Sequence, residues 1–305
     1  MAYKCSRLRV LGAKIETTAG TAESITAAEA TVPVFNVNYT ENTSFTRREN
    51  DLGGKLKGRR GPLIATLSFD VEMMGLGSAG DPVWATTFLP PCGFVGSGGV
   101  YTYTRVYANQ KTLTLKSFID GQYRLVHGAA GACRLTYNAG GISYMNFSFT
   151  GIANPEGDTS NITPTLVTTQ PLLGATIFTY HNGTSAVTLT GPSGVIDWGQ
   201  VVQPIEDPST DGYRQFCVAD YKPIMTCEPY GEAASVIDFN GDWVANAERA
   251  VQLKIGSGTG GNCIDINASK ASHSAAPNWG ERGRLVTRGL NLDFNDNTGP
   301  TISFL

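Results

Sequence analysis

Three glycines in the stretch GLGSAG, Gly75, Gly77 and Gly80, have the spacing of a turn that binds dinucleotide phosphates. Such a turn joins a buried parallel strand to a full helix. The preceding run LIATLSFDVEMM instead alternates apolar and polar residues, which predicts a half-exposed antiparallel strand. The prolines at 90–91 end the following helix early, and a second such glycine stretch, at 256–261, precedes no helical pattern. We therefore expect a flexible connection here and no cofactor.

Other residue types that could do chemistry are scattered along the chain. The three histidines, His127, His181 and His273, lack the spacing of metal ligands, and neither HExxH nor GxSxG occurs. Asp70 and Glu72 lie on one face of the predicted strand, which is a common arrangement without catalysis. We expect no catalytic residue, no metal ligand and no enzymatic activity.

One segment between two predicted strands is strongly basic. It is FTRRENDLGGKLKGRRGP, residues 45–62, and it carries six basic residues against Glu49 and Asp51: Arg47, Arg48, Lys55, Lys57, Arg59 and Arg60. The segment predicts a long hairpin tip. It could be a solvated loop or contact nucleic acid, although no aromatic residues are interleaved with the charges. We favour docking onto an acidic surface of a neighbouring copy, because long loops in compact β proteins are usually functional.

The composition predicts a mainly β protein with many turns. The chain has 305 residues, 36 of them glycine, and charged residues make up only 16 %. Thr, Ser, Asn and Gly separate short apolar runs. The net charge of −3 argues against a protein that coats nucleic acid. We expect neither a signal peptide nor a membrane span, because no apolar run is long enough.

The six cysteines form no CxxC pair, and a chain of this length does not need disulfides for its stability. We expect reduced thiols in a protein made in a cytoplasm, most of them buried as small apolar groups. The less favoured alternative is a disulfide between Cys217 and Cys227 across a hairpin.

The chain divides into an N-terminal arm (1–30), a first β domain (31–152), a polar linker (153–170) and a second β domain (171–305). The predicted short helix of the first domain has Asp81 as its N-cap. The order of elements then repeats, which is modest evidence for a tandem duplication. The matching pairs are GPLIATLSF with KPIMTCEPYG, DPVWA with GDWVA, LTLK with VQLK, and the closing strands MNFSF with TISF.

Residues 8–152 resemble the major tail tube proteins of long-tailed bacteriophages. The stretches that carry the resemblance are LGAKIETTAGT, RRENDLGGKLKGRRGPLIATLSFDVEMMGLGSAG, the Trp helix with PPCGF, and LTLKSFIDGQYRLVHGAAGACRLTYNAGGISYMNFSFTGI. Tyr137 replaces a leucine that is common in the family. The second half is similar more loosely, mainly at YKPIMTCEP.

The resemblance implies tandem tail-tube-type β-barrel or sandwich domains, each with one short helix and a long hairpin arm. Subunits of the family form rings that stack into a hollow tube, with their sheets joined edge to edge around a DNA channel. Two such domains in one chain imply a trimeric ring with pseudo-six-fold symmetry, which we favour over a hexamer. The basic residues of 45–62 and the arm 1–30 are then the expected contacts between rings.

The implied channel should not be basic, because DNA must slide through it without binding. Asp70 and Glu72 are therefore candidate lumen-facing acids, although the same polar strand face could point to outside solvent. The implied partners are further copies of the chain, the tape measure, the tube initiator and the terminator. The implied location is the virion tail, with synthesis in the host bacterial cytoplasm. The alternative function is a soluble β-rich binding or adhesin module, which should present exposed aromatic platforms.

Overall fold

A computed structural model defines most of the chain. The described residues are 9–49, 55–76, 80–160, 162–172, 176–183, 185–190, 193–207, 212–256, 262–296 and 299–305. Strands hold 55 % of the chain and helical segments 8 %. The prediction of a mainly β fold is therefore confirmed.

The first half of the chain contains eleven strands and one α-helix among its described residues. They are β1 (Arg9–Ile15), β2 (Phe35–Glu41), β3 (Phe45–Glu49), β4 (Lys55–Arg60), β5 (Ile64–Glu72), α1 (Val83–Phe88), β6 (Phe94–Ser97), β7 (Val100–Tyr103), β8 (Leu113–Ile119), β9 (Gln122–Tyr137), β10 (Tyr144–Ala153) and β11 (Gly157–Asp158). Short 3-10 turns occur at Ala27–Glu29, Pro90–Cys92 and Tyr107–Asn109.

The described part of the second half contains eleven more strands and a second helix. They are β12 (Thr176–His181), β13 (Ala186–Leu189), β14 (Gly194–Asp197), β15 (Val201–Glu206), β16 (Tyr213–Asp220), β17 (Ile224–Cys227), α2 (Phe239–Val244), β18 (Arg249–Gly256), β19 (Cys263–His273), β20 (Asn278–Arg282), β21 (Leu285–Phe294) and β22 (Thr301–Phe304).

Eighteen of these strands hydrogen-bond into one sheet, whereas β3–β4 and β15–β16 form separate two-stranded hairpins. In the first half the antiparallel order is β1-β8-β9-β10-β5-β2. In the second half it is β12-β18-β19-β21-β17-β14. The sheet does not close into a barrel within the described residues, so the expected barrel is not seen in the single chain.

The two halves use the same connections as well as the same pairing order. One hairpin, β3–β4, lies between β2 and β5, and the other, β15–β16, lies between β14 and β17. A short helix follows β5 in one half and β17 in the other. We call β3–β4 the first arm and β15–β16 the second arm.

One of the predicted matches between the halves is wrong. MNFSF lies in β10, which joins β9 to β5, but TISF lies in β22, which pairs with β19 and β7. The strand that joins β19 to β17 is β21, which carries LNLDF. Both sequences alternate apolar and polar residues, so the pattern alone could not select between them.

The predicted role of Asp81 as a helix cap is also wrong. The N-cap of α1 is Pro82, and no side chain donates or accepts a capping bond there. The Asp81 carboxylate instead accepts the backbone amides of Gly98 (3.2 Å) and Gly99 (2.7 Å) in the β6–β7 turn. Gly77 of the GLGSAG stretch lies outside the described residues.

The core lies on one face of the sheet, where α1 packs. The predicted alternation of β5 is confirmed, because Leu67, Phe69 and Val71 are buried and the residues between them are half-buried. Phe88 of α1 packs on Phe69 with ring centroids 5.0 Å apart. Burial of such aromatic side chains contributes most to a core of this kind.

Candidate functional site

The two halves meet at a strand junction between β9 and β14. Residues 134–137 at the end of β9 pair with β14, which in turn pairs with β17. Gly194 allows this close approach, since a Cβ at that position would lie 2.7 Å from the hydroxyl of Tyr137 on β9. The junction joins the two repeated units edge to edge within one chain.

Buried polar and aromatic contacts fix this junction. Gln200 is 8 % exposed; its Oε1 accepts the Cys133 amide and its Nε2 donates to the Cys92 carbonyl, both at 3.0 Å. The Tyr103 and Tyr221 rings stack with centroids 3.7 Å apart. Such satisfied buried polar groups specify one arrangement of the units, because any shift would leave them without partners.

One apolar row of directly paired residues crosses the junction without a break. Its members are all buried: Val71, Met145, Leu135, Ile196, Met225 and Leu292. Directly paired residues of neighbouring strands point to the same face. The two units therefore share one buried sheet face.

The opposite face of the same strands is polar. One row on it consists of Asp70, Asn146, Arg134, Asp197, Ile224 and Asp293. The next row consists of Glu72, Tyr144, Thr136, Val195, Thr226 and Asn291. Together the two rows carry four carboxylates and one guanidinium. We call this surface the polar face.

The two acids singled out in the sequence lie on this polar face. The Asp70 carboxylate accepts the side-chain amides of Asn146 (2.6 Å) and Asn36 (2.7 Å), and Glu72 is half-buried two residues further along β5. Asp197 and Asp293 were not singled out. They become visible as part of the same face only once the non-local strand pairing is known.

Two strand edges at opposite ends of the repeated units are open. Within the described chain β2 pairs only with β5, and β20 pairs only with β21. On β21, the Arg288 amide and the Val286 carbonyl bond to residues 229 and 231, on the side away from β20. By strand alternation, the backbone groups of Trp279 and Glu281 then point to the open edge of β20.

Exposed apolar side chains flank these edges. Trp279 on β20 is 70 % exposed, and Phe45, which follows β2, is 64 % exposed. Leu285 and Val286 beside β20 are also exposed. An open strand edge with exposed apolar groups beside it can pair with another chain.

The six basic residues of the predicted hairpin lie in the first arm. Its strands pair from Phe45↔Arg60 to Glu49↔Lys55, and all their residues except the half-buried Gly58 are exposed. Arg60 lies 3.5 Å from Glu41 of β2. Asp51 lies outside the described residues. The hairpin is thus present, and its role as a contact stays a prediction.

The second half also holds a buried polar cluster that binds α2 to the sheet. Asp242 of α2 accepts hydrogen bonds from Tyr180 (2.9 Å) and from Arg249. Burial opposes ionisation of Asp242, but the Arg249 and Tyr180 hydrogen bonds outweigh it and lower its pKa. His273 Nε2 lies 3.2 Å from the Tyr180 hydroxyl, and burial lowers the pKa of this imidazole.

No group of three or more possible metal-ligating residues occurs in the part of the chain that the structure describes. His127 and His181 are half-buried and lie on different strands, β9 and β12. Among the described residues, Cys92, Cys133, Cys217 and Cys227 are free thiols. No helix among the described residues has the length and apolar character that crossing a bilayer requires.

Neither a scan against protein-family models nor a search of curated proteins finds a match to this chain.

Proposed function

We propose that this chain is the structural subunit of a phage tail tube. Copies join edge to edge into rings, the rings stack, and genomic DNA passes through the central channel into the host cell. The protein is then a component of the virion tail, and its partners are its own copies, the tape measure, the tube initiator and the terminator.

The observation that carries this proposal is the junction between β9 and β14. It is an edge-to-edge contact between two units of the same strand order, and it leaves the edge of β2 free at one end and that of β20 free at the other. A head-to-tail contact of this kind generates a ring when its rotation closes. β20 pairs with the start of β21 as the end of β9 pairs with the start of β10, and β2 holds the place in its unit that β14 holds in the other. Pairing β20 of one copy with β2 of the next would therefore repeat the internal junction.

Three chains would then form a ring of six similar units. Each chain supplies two tail-tube-type β units, each with a short helix and a hairpin arm. A ring closed through strand edges leaves no edge open, and its barrel would exist only in the assembly. This is consistent with a single chain in which no barrel closes among the described residues.

The polar face supplies a suitable channel lining. It runs across both units, and its two rows carry Asp70, Glu72, Asp197 and Asp293 against Arg134 alone. Carboxylates repel phosphates, so DNA can slide past such a surface without the counterion release that drives binding. We place this face towards the lumen and the helices on the outside of the ring.

Substitution at the open edge of β20 tests the proposal. Glu281→Pro removes an amide that points away from β21, so the chain should still fold but should no longer pair with β2 of another copy. The control Glu281→Ala keeps that amide. Sedimentation velocity over a range of concentrations should show large polymers for the wild type and for Glu281→Ala, and monomers for Glu281→Pro.

Two results would contradict the proposal. One is a wild-type chain that stays monomeric at every concentration and salt level, which would favour the binding-module function. The other is a Glu281→Pro variant that polymerises like the wild type. A melting curve for each variant confirms that the loss of assembly does not come from loss of folding.

A further inference from the structure

The second arm shows where a hairpin arm lies when the neighbouring β unit is present, because the first unit of the same chain is paired with its own unit. It packs on β9 and β10 of the first unit, and Phe216 and Val218 of β16 are buried there. The Gln110 side chain bonds to both backbone groups of Val218, at 3.0 and 3.1 Å. An arm therefore lies over the sheet of the preceding unit in the same edge-to-edge series.

The second arm crosses the first unit at a β-bulge between β8 and β9. The register shifts between the Leu113 and Leu115 pairs, which leaves residues 127–128 unpaired with β8. A Cβ at Gly128 would lie 3.2 Å from the Gln215 Cα of the second arm. The freed Gly128 amide donates to the Glu16 carboxylate at 2.6 Å.

The second unit has the same bulge, between β18 and β19. The register shifts between the Arg249 and Val251 pairs, and the extra residues there are Ser269 and Lys270, both exposed. The freed Ser269 amide again donates to a carboxylate, that of Asp296, at 3.0 Å. This bulge is the position of the second unit at which an arm is expected.

The surface around this second bulge is acidic. Glu248 lies 3.7 Å from Lys270, and the Asp296 carboxylate accepts from the Ser269 hydroxyl. The bulge therefore carries two carboxylates and one lysine. We call this surface the acidic bulge.

The first arm has the charge and the exposed side chains to fit there. Its described strands carry six basic residues and one acidic residue, Glu49. Phe45 and Leu56 are 64 % and 45 % exposed, whereas Phe216 and Val218 of the second arm are buried against the first unit. The first arm thus has apolar and basic groups that the single chain leaves uncovered.

We propose that the first arm of one copy lies across the acidic bulge of the adjacent copy in the same ring. The occupant is a second copy of this chain, and the inference rests on the proposed edge-to-edge assembly. It differs from the expectation that these basic residues contact the next ring in the stack. The second arm covers the neighbouring unit in the edge-to-edge series. The first arm would make the same sideways contact with the neighbouring unit of the next copy.

Zero-length cross-linking tests this contact directly. A carbodiimide joins a lysine amine to a carboxylate only when the two groups touch, so it is applied to assembled protein mixed from isotope-labelled and unlabelled chains. We expect labelled–unlabelled peptides that join Lys55 or Lys57 to Glu248 or Asp296. The Glu281→Pro variant, which should stay monomeric, should give none.

The outcomes separate this inference from the proposed function. Assembled protein whose arm lysines cross-link only to other carboxylates, or to none, would overturn the lateral contact while leaving the tube intact. Wild-type protein that never assembles would contradict the proposed function and the contact together.

Charge reversal supplies a second test. Lys55→Glu with Lys57→Glu should raise the concentration needed for assembly by about tenfold, because two attractions become repulsions. The matched control, Arg105→Glu with Lys111→Glu, changes two exposed charges outside the arm by the same amount and should assemble like the wild type. Adding Glu248→Lys to the arm variant should recover part of the lost assembly. Equal effects of the arm variant and the control variant on assembly would overturn the proposal.

Discussion

At the scale of single residues, Gln200 is the clearest determinant of how the two units meet. It is buried and bonds to one backbone group on β9 and one near α1, so it links three parts of the chain. Its position just after β14 gave no signal in the sequence. A glutamine in a turn is normally exposed, and burial became evident only from the pairing of β14 with β9.

Replacing Gln200 by leucine should destabilise the chain by about 2–3 kcal/mol, because the Cys133 amide and the Cys92 carbonyl would lose their buried partners. Gln203→Leu, at an exposed position of β15, is the control and should change stability by less than about 0.5 kcal/mol. Urea unfolding measures both. A Gln200→Leu variant as stable as the control would show that the junction does not depend on these bonds.

His273 predicts a pH dependence of stability. Burial lowers its pKa from the ordinary value of 6.5, although the nearby Asp242 carboxylate opposes the shift. The unfolded chain therefore takes up a proton near pH 6.5 before the folded chain does. Stability contributed by the neutral imidazole is present above that pH and is lost as the pH falls below it.

We expect the free energy of unfolding to fall by about 1 kcal/mol per pH unit between pH 6.5 and the lowered pKa. His273→Gln, which can still bond to Tyr180, should flatten this slope. Unfolding curves at pH 7.5, 6.5 and 5.5 measure it. An identical slope in the wild type and in His273→Gln would assign the effect to other groups.

At the scale of elements, Asp81 shows how a local rule can fail. An aspartate before a proline and a helical run is a typical N-cap, but this side chain bonds to amides 17 and 18 residues further along the chain. It therefore holds the β6–β7 turn rather than α1. The β6–β7 hairpin in turn pairs with β22, the C-terminal strand.

Asp81→Ala should loosen this hairpin and leave α1 in place. Hydrogen exchange at Gly98 and Gly99 should become about tenfold faster, as expected for the loss of a charge-assisted bond of about 1.5 kcal/mol. Exchange within α1 should not change. Faster exchange in α1 with an unchanged turn would restore the capping role and contradict the structure.

The strands themselves were largely predictable, but their partners were not. The alternation in LIATLSFDVE and the Asp120-Gly121 turn identify β5 and the β8–β9 hairpin from local sequence alone. The errors concern non-local pairing. TISF and LNLDF have the same pattern, and the short run GVID gives no sign that it joins two units. The polar face depends on such pairings, so only Asp70 and Glu72 of its acids were identified beforehand.

At the scale of the whole molecule, the proposed channel predicts how an assembly treats DNA. Four carboxylates on the polar face of each chain should keep DNA from binding inside. Glu72→Lys with Asp293→Lys reverses two of them and should give tubes that retain DNA at low salt and release it as salt is raised. Glu232→Lys, at an exposed position on a loop, is the control. DNA retention is measured on sedimented tubes. Equal retention by the double variant and the control would contradict a polar face that lines the lumen.

A ring forms only if the β9–β14 junction is repeated between copies. Electron microscopy of the concentrated protein in negative stain tests this repetition most directly. We predict stacked rings with a stained central channel, and end-on averages with six lobes that reduce to three-fold symmetry, one chain of 32.4 kDa for each pair of lobes. Isolated particles of single-chain size at every concentration and salt level, with no rings, would contradict it.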